Sequence, residues 1–139
     1  MTRKTLAVFA VVAFLAAAAG YSQSSARLVS NIPFDFYVGS SVLPSGEYEV
    51  RPGVAAGAVM FRGIDQNAAV VALTNSKQVG RAPKEAKLVF NRYGNSYFLS
   101  EIWHAGIDRG YQLPKSKTER EMARNAPGIQ LAFVRAMVR

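Results

Sequence analysis

Hydrophobic and polar positions alternate with a period of two through most of this chain, in short runs. The clearest case is residues 87–104, K-L-V-F-N-R-Y-G-N-S-Y-F-L-S-E-I-W-H, where β-branched and aromatic runs flank Gly94-Asn95. Both residues of that pair tolerate positive φ, so the stretch predicts a β-hairpin. With a two-residue loop, Tyr93 lies opposite Ser96, Arg92 opposite Tyr97, Phe90 opposite Leu99 and Leu88 opposite Glu101. Leu88, Phe90, Tyr97, Leu99 and Trp103 then share one face. Val89, Phe98 and Ile102 on the other face make the hairpin interior to its sheet, with something packed on both sides. A three-residue loop would shift the pairing by one and set Phe90 beside Phe98.

The remaining pattern is of the same kind. Ile32, Phe34 and Phe36 alternate with Pro33, Asp35 and Tyr37, and Pro33, which cannot donate to a ladder, predicts an edge strand or a broken one. Leu43-Pro44-Ser45-Gly46 fits a type I turn. After it Tyr48 and Val50 point inward, while Glu47, Glu49 and Arg51 point outward. Residues 58–64 and 68–74 predict a second hairpin around Asp65-Gln66-Asn67. Residues 75–84 turn polar and basic, with Gly80 and Pro83 as breakers, and predict a loop. Tyr111-Gln112-Leu113 reads as a short strand ended by Pro114.

Ser116 followed by Glu119 is a capping-box pattern that opens a helix running to Arg124. Met122 and Ala123 are its only clearly apolar members, so it is expected to be exposed. Ile129, Leu131 and Phe133 alternate in a final strand, although Leu131, Val134 and Val138 also share a helical face. The pattern predicts an all-β, single-domain antiparallel sandwich or small barrel of about seven to eight strands, with one short exposed helix near the C-terminus. Pro33 and the outward charges would guard its edges.

The first residues fall outside this pattern. Arg3 and Lys4 precede an unbroken apolar run, residues 6–19, followed by small residues. As a helix that run spans about 21 Å, short of the roughly 30 Å hydrocarbon core. It reads as a secretory signal, residues 1–26, with a cleavage window of 20–27 and no transmembrane anchor after cleavage. Residues 27–139 then form the single all-β domain, placed in the periplasm or outside the cell. The chain has no Cys, which excludes both disulfides and a lipid-modified cysteine. Beyond the signal, fifteen Lys and Arg stand against nine Asp and Glu, a net charge of +6. Outside the cytoplasm such a surface meets anionic polysaccharide, lipid head groups or other envelope polymers before it meets nucleic acid.

Several segments occur together in a known order: Ile32-Pro33-Phe34-Asp35-Phe36-Tyr37-Val38-Gly39, Leu43-Pro44-Ser45-Gly46-Glu47-Tyr48, Phe90-Asn91-Arg92-Tyr93-Gly94, Tyr97-Phe98-Leu99, and Leu113-Pro114-Lys115-Ser116 with Glu119-Arg120-Glu121. In these the chain resembles a family of short exported proteins found mainly in soil bacteria. The resemblance spans nearly all of residues 27–139 and implies export, but brings no activity, ligand or catalytic residue. Residues 43–50 also resemble the Pro-Gly-x-Tyr segment of transthyretin-like and carboxypeptidase-regulatory sandwiches, which implies a sandwich.

Candidate chemistry is thin. The lone His104 and Ser100 would lie about 13 Å apart along one strand, too far for proton transfer. Glu47 and Glu49 stand about 7 Å apart on one face, within the range of glycosidase carboxylate pairs, but a solvated strand face explains the alternation as well. No spacing motif supports a metal site, and no glycine-rich loop a phosphate. No catalytic residue, metal or cofactor is therefore assigned. The candidates for ligand binding are the basic group Lys77, Arg81, Lys84 and Lys87, with Tyr97, Trp103 and Tyr111 as aromatics able to stack on sugar rings. A second basic group, Lys115, Lys117, Arg120 and Arg124, is diluted by Glu119 and Glu121. Trp103 is expected to be buried. The expected function is a non-catalytic envelope or extracellular binding or accessory module with a basic surface for anionic polymers. The alternatives are a small envelope hydrolase using carboxylates and a barrel carrying an apolar small molecule.

Overall fold

The computed structural model describes residues 27–139 except residue 54, and the expected export segment, residues 1–26, lies outside the described residues. The elements run β1 (Leu28–Ile32), β2 (Phe36–Val38), β3 (Ser41–Leu43), β4 (Gly46–Pro52), β5 (Ala58–Gly63), β6 (Ala69–Leu73), β7 (Asn75–Gln78), β8 (Lys87–Tyr93), β9 (Ser96–Trp103), β10 (Arg109–Gln112), α1 (Lys117–Asn125), β11 (Gln130–Arg135) and β12 (Met137–Val138). They form an all-β sandwich of two sheets. Sheet A has the order β12-β1-β4-β5-β6, and the seven-stranded sheet B runs β11-β8-β9-β10-β7, with β2 joined to β9 and β3 to β2. The ladders are antiparallel except where β2 meets β9 in parallel at Tyr37 and Phe98.

More strand segments appear than the pattern predicts because the chain bends within its extended runs. Pro33 breaks the first run, so that β1 joins sheet A and β2 joins sheet B. Single residues, Thr74 between β6 and β7 and Ala136 between β11 and β12, carry the chain from one sheet to the other at opposite lateral edges. Both are buried, and each donates its N–H to a carbonyl, Thr74 to Gly57 at 2.8 Å and Ala136 to Ala86 at 3.0 Å. The expected loop over 75–84 is therefore a strand, β7, for its first four residues. Its polar sequence hides this because it pairs at the sheet edge through its backbone.

The space between the sheets is filled. Tyr48 and Val50 of β4, Val59 and Phe61 of β5, Phe36 of β2, and Leu88 and Phe90 of β8 are fully buried there. Tyr48 donates its hydroxyl to the Pro44 carbonyl at 2.6 Å, which satisfies the one polar atom of a ring that packs edge-on against Phe36. Phe34, in the break after Pro33, closes one end by stacking on Tyr97 at 3.7 Å and meeting Phe90 edge-on at 5.0 Å.

The central hairpin follows the two-residue pairing from Tyr93–Ser96 to Phe90–Leu99, and then departs from it. Ser100 is an extra residue in β9, so Val89 faces Glu101 and Leu88 faces Ile102. This bulge reverses the faces beyond it. Ile102 enters the core beside Leu88, and Trp103 moves to the outer face of sheet B, away from the Leu88, Phe90, Tyr97 and Leu99 face expected for it. The turn differs too. Gly94 takes φ 61°, while no non-glycine residue among those described has positive φ, so Asn95 does not share the left-handed conformation.

Candidate functional site

Five strands of sheet B present an outer face that is only partly covered. Over the Tyr93 end lies α1, capped as its sequence predicts, with the Ser116 hydroxyl accepting the Glu119 N–H at 3.1 Å. The helix is largely exposed, but its buried member is neither Met122 nor Ala123. It is Glu119, whose carboxylate turns under the helix rather than back to its own N-terminus. Its Oε2 accepts the Tyr93 hydroxyl at 3.0 Å and Asn91 Nδ2 at 3.2 Å, both buried on β8. Burial, reinforced by the Glu119 charge and hydrogen bond, pushes the Tyr93 phenol up to about 12. Tyr37 of β2 stacks on Phe98 at 4.3 Å in the same layer.

The other end of the face has no helix over it and carries most of the candidate residues. Arg135 pairs with Lys87 and Lys87 with Trp103. Gly110 lies beside Trp103 and pairs with Lys77. At roughly 4.8 Å between strands, these residues form one row across the sheet, cationic at both ends. The Trp103 ring rests on Gly110: a Cβ there would lie 2.6 Å from Cε3 of the indole. Trp103 is 3% exposed and donates Nε1–H to Glu101 Oε2 at 2.8 Å. Lys77 forms an ion pair with the other oxygen of the same carboxylate. Lys87 places Nζ 5.2 Å from the centre of the Phe133 ring.

The basic candidates are therefore not equivalent. Lys77 is committed to Glu101, and Lys87 lies along Phe133. Arg81 and Lys84 stand exposed in the β7–β8 loop and form no ion pair among the described residues. Three backbone hydrogen bonds hold that loop: Val79 N–H to Asp108 O at 2.9 Å, Gly106 N–H to Pro83 O at 2.8 Å, and Ala136 N–H to Ala86 O. Arg109, a further exposed cation, opens β10 opposite Gln78. Sequence reasoning missed it because it lies far along the chain from the basic run.

The aromatic candidates do not form one platform. Tyr97 and Tyr111 pack against the core between the sheets, whereas Trp103 lies on the outer face. On sheet A, Glu47 and Glu49 share the outer face, but Glu49 is bound to Arg27 at 3.4 Å and also to Arg51. Burial pushes the Glu49 carboxyl up, but the hydrogen bonds and charges of Arg51 and Arg27 outweigh that and hold it below the usual carboxylate range. Comparison with family models, curated proteins and solved structures gives no match to this chain.

Proposed function

We propose that the protein is an exported, non-catalytic binding module of the envelope or the extracellular space, and that it engages an anionic polymer through the β7–β8 loop. The observation that supports this is the exposure of Arg81 and Lys84 on a loop fixed by backbone hydrogen bonds at both ends. Cations held in place lose less conformational freedom on binding than cations on a mobile tail. Arg109 and Lys87 extend the same positive surface along the ends of β10 and β8.

The test is retention on an immobilised anionic polysaccharide, with a neutral polysaccharide as control. Arg81→Gln with Lys84→Gln should weaken retention by about tenfold or more, at roughly 1 kcal/mol for each cation near an anionic surface. Both residues are exposed, so thermal unfolding should change little. Retention should also fall steeply with salt, because exposed charges are screened over about 8 Å at physiological ionic strength. Lys77 is left intact in this test, since its removal would strip Glu101 of its ion pair. Salt-insensitive retention that survives the double substitution would refute the reading.

A further inference from the structure

Next to that basic surface runs an apolar strip that the fold leaves uncovered. Ile129, Leu131 and Phe133 are 50%, 58% and 60% exposed. They recur at every second position, and β11 is the edge strand of sheet B. Ala132 and Val134, between and beyond them, pack on the core, so the strip lies on the outer face. It is about 13 Å long at roughly 3.3 Å per residue. Cations close one end of it: Lys87 over the Phe133 ring, and Arg135 paired with Lys87 across the ladder. Arg135 also holds Glu85 at 3.1 Å, but both side chains of that pair are highly exposed. From Met122 to Arg139 the chain contains three Arg and no Asp or Glu.

We propose that the β11 strip, with Lys87 and Arg135 at its end and the β7–β8 loop beside it, docks on an anionic lipid surface. Single exposed apolar side chains are ordinary on a protein surface; a row of three bordered by cations is the arrangement that binds a charged interface. The apolar side chains enter the boundary between headgroups and acyl chains while the cations meet phosphate. A second copy is the poorer occupant. Both copies carry net positive charge, and pairing two β11 edges would satisfy backbone groups while leaving the outward faces of Leu131 and Phe133 in water. The inference shares the loop cations with the function proposed above, but its apolar strip is separate.

The test is co-sedimentation with vesicles of phosphatidylcholine alone and with phosphatidylglycerol added. It uses the chain from Arg27 onward, which carries every described strand, the helix and the whole core, and the full chain in parallel. The protein should bind only the anionic vesicles, and less with added salt. Leu131→Ser with Phe133→Ser should lower that binding at least about tenfold, from the apolar area withdrawn, while leaving retention on the immobilised anionic polysaccharide unchanged. Phe133→Trp, which keeps the strip apolar, should show a blue-shifted emission on anionic vesicles, a change the buried Trp103 does not supply. Three outcomes would each overturn the inference: wild-type protein that ignores anionic vesicles while still binding the polysaccharide, equal vesicle binding by the double Ser variant, or an unshifted emission from the Phe133→Trp variant. Self-association abolished by the Ser substitutions, without vesicle binding, would assign the strip to a second copy and refute it as well.

Discussion

Tyr93→Phe tests the least expected contact in the molecule, the carboxylate of Glu119 held beneath its own helix. The substitution keeps the ring and its volume, so no cavity term enters, and removes one hydrogen bond to a buried carboxylate. Such bonds contribute about 1.5–3 kcal/mol, and Asn91 still donates to the same oxygen, so a loss of about 1.5–2 kcal/mol is expected. For a domain of this size that is a fall of roughly 5–10 °C in Tm. Glu119→Ala should cost more, about 3–4 kcal/mol, because it leaves the Tyr93 hydroxyl and Asn91 Nδ2 both buried without a partner. The double variant should be less destabilised than the sum, with a coupling of about 1–2 kcal/mol. Alkaline titration gives a second readout. The folded-state phenol stands at about 12 against an ordinary 10.0, so its contribution is complete below pH 10 and is lost as pH rises through about 12. Tyr48 is also raised, chiefly by burial and then by the Asp35 charge, so the wild-type minus Tyr93→Phe difference is needed to isolate Tyr93. A late phenolate that persists unchanged in Tyr93→Phe, or an unchanged Tm in both single variants, would refute the buried network.

Gly94→Val should destabilise by about 1–3 kcal/mol in thermal unfolding, since Gly94 has φ 61° and a β-branched residue is strained there. Gly110→Ala should cost a similar 1–3 kcal/mol and should also red-shift the emission of the lone Trp103, because the new Cβ would displace its ring. Glu49→Gln should flatten the acid limb of the stability curve: a carboxyl held below 4.5 contributes stability above the ordinary value and loses it as pH falls through the depressed one. Mass spectrometry of the protein from its native source should find a new N-terminus within residues 20–27; an intact Met1 on cytosolic protein would remove export from the proposal.

The sandwich was legible because alternation needs no knowledge of partners. Tyr48 and Val50 could point only one way once Glu47, Glu49 and Arg51 pointed the other, and Ser116 announced its helix by side-chain chemistry alone. What escaped was set by tertiary pairing. Nothing local marks Ser100 as a bulge, yet that single insertion decides whether Trp103 or Ile102 faces the core. Nothing in Asn75-Ser76-Lys77-Gln78 suggests a strand, because its ladder bonds are backbone bonds to β10. Glu119 was visible as a capping residue, but its second role depends on Asn91 and Tyr93, nearly thirty residues away.

The same dependence limits what a run of basic residues can say about binding. Lys77, Arg81, Lys84 and Lys87 look alike in the sequence, evenly spaced and nearly undiluted. Pairing of β7 with β10 sets Lys77 opposite Gly110, with only β10 between it and the Glu101 strand, β9, and the bulge at Ser100 turns that carboxylate to the same face. An ion pair that also braces a buried indole cannot be given up to a ligand without leaving Glu101 short of a partner. Lys87 begins a strand and lies over Phe133. Of these four, Arg81 and Lys84, between strands, are the two left exposed to solvent with no ion pair among the described residues. The electrostatic footprint is thus divided by backbone register rather than by charge density, and Arg109, remote in sequence, joins it for the same reason. Substituting Lys77 in a binding assay would therefore confound loss of ligand contact with damage to the sheet, whereas Arg81 and Lys84 separate the two.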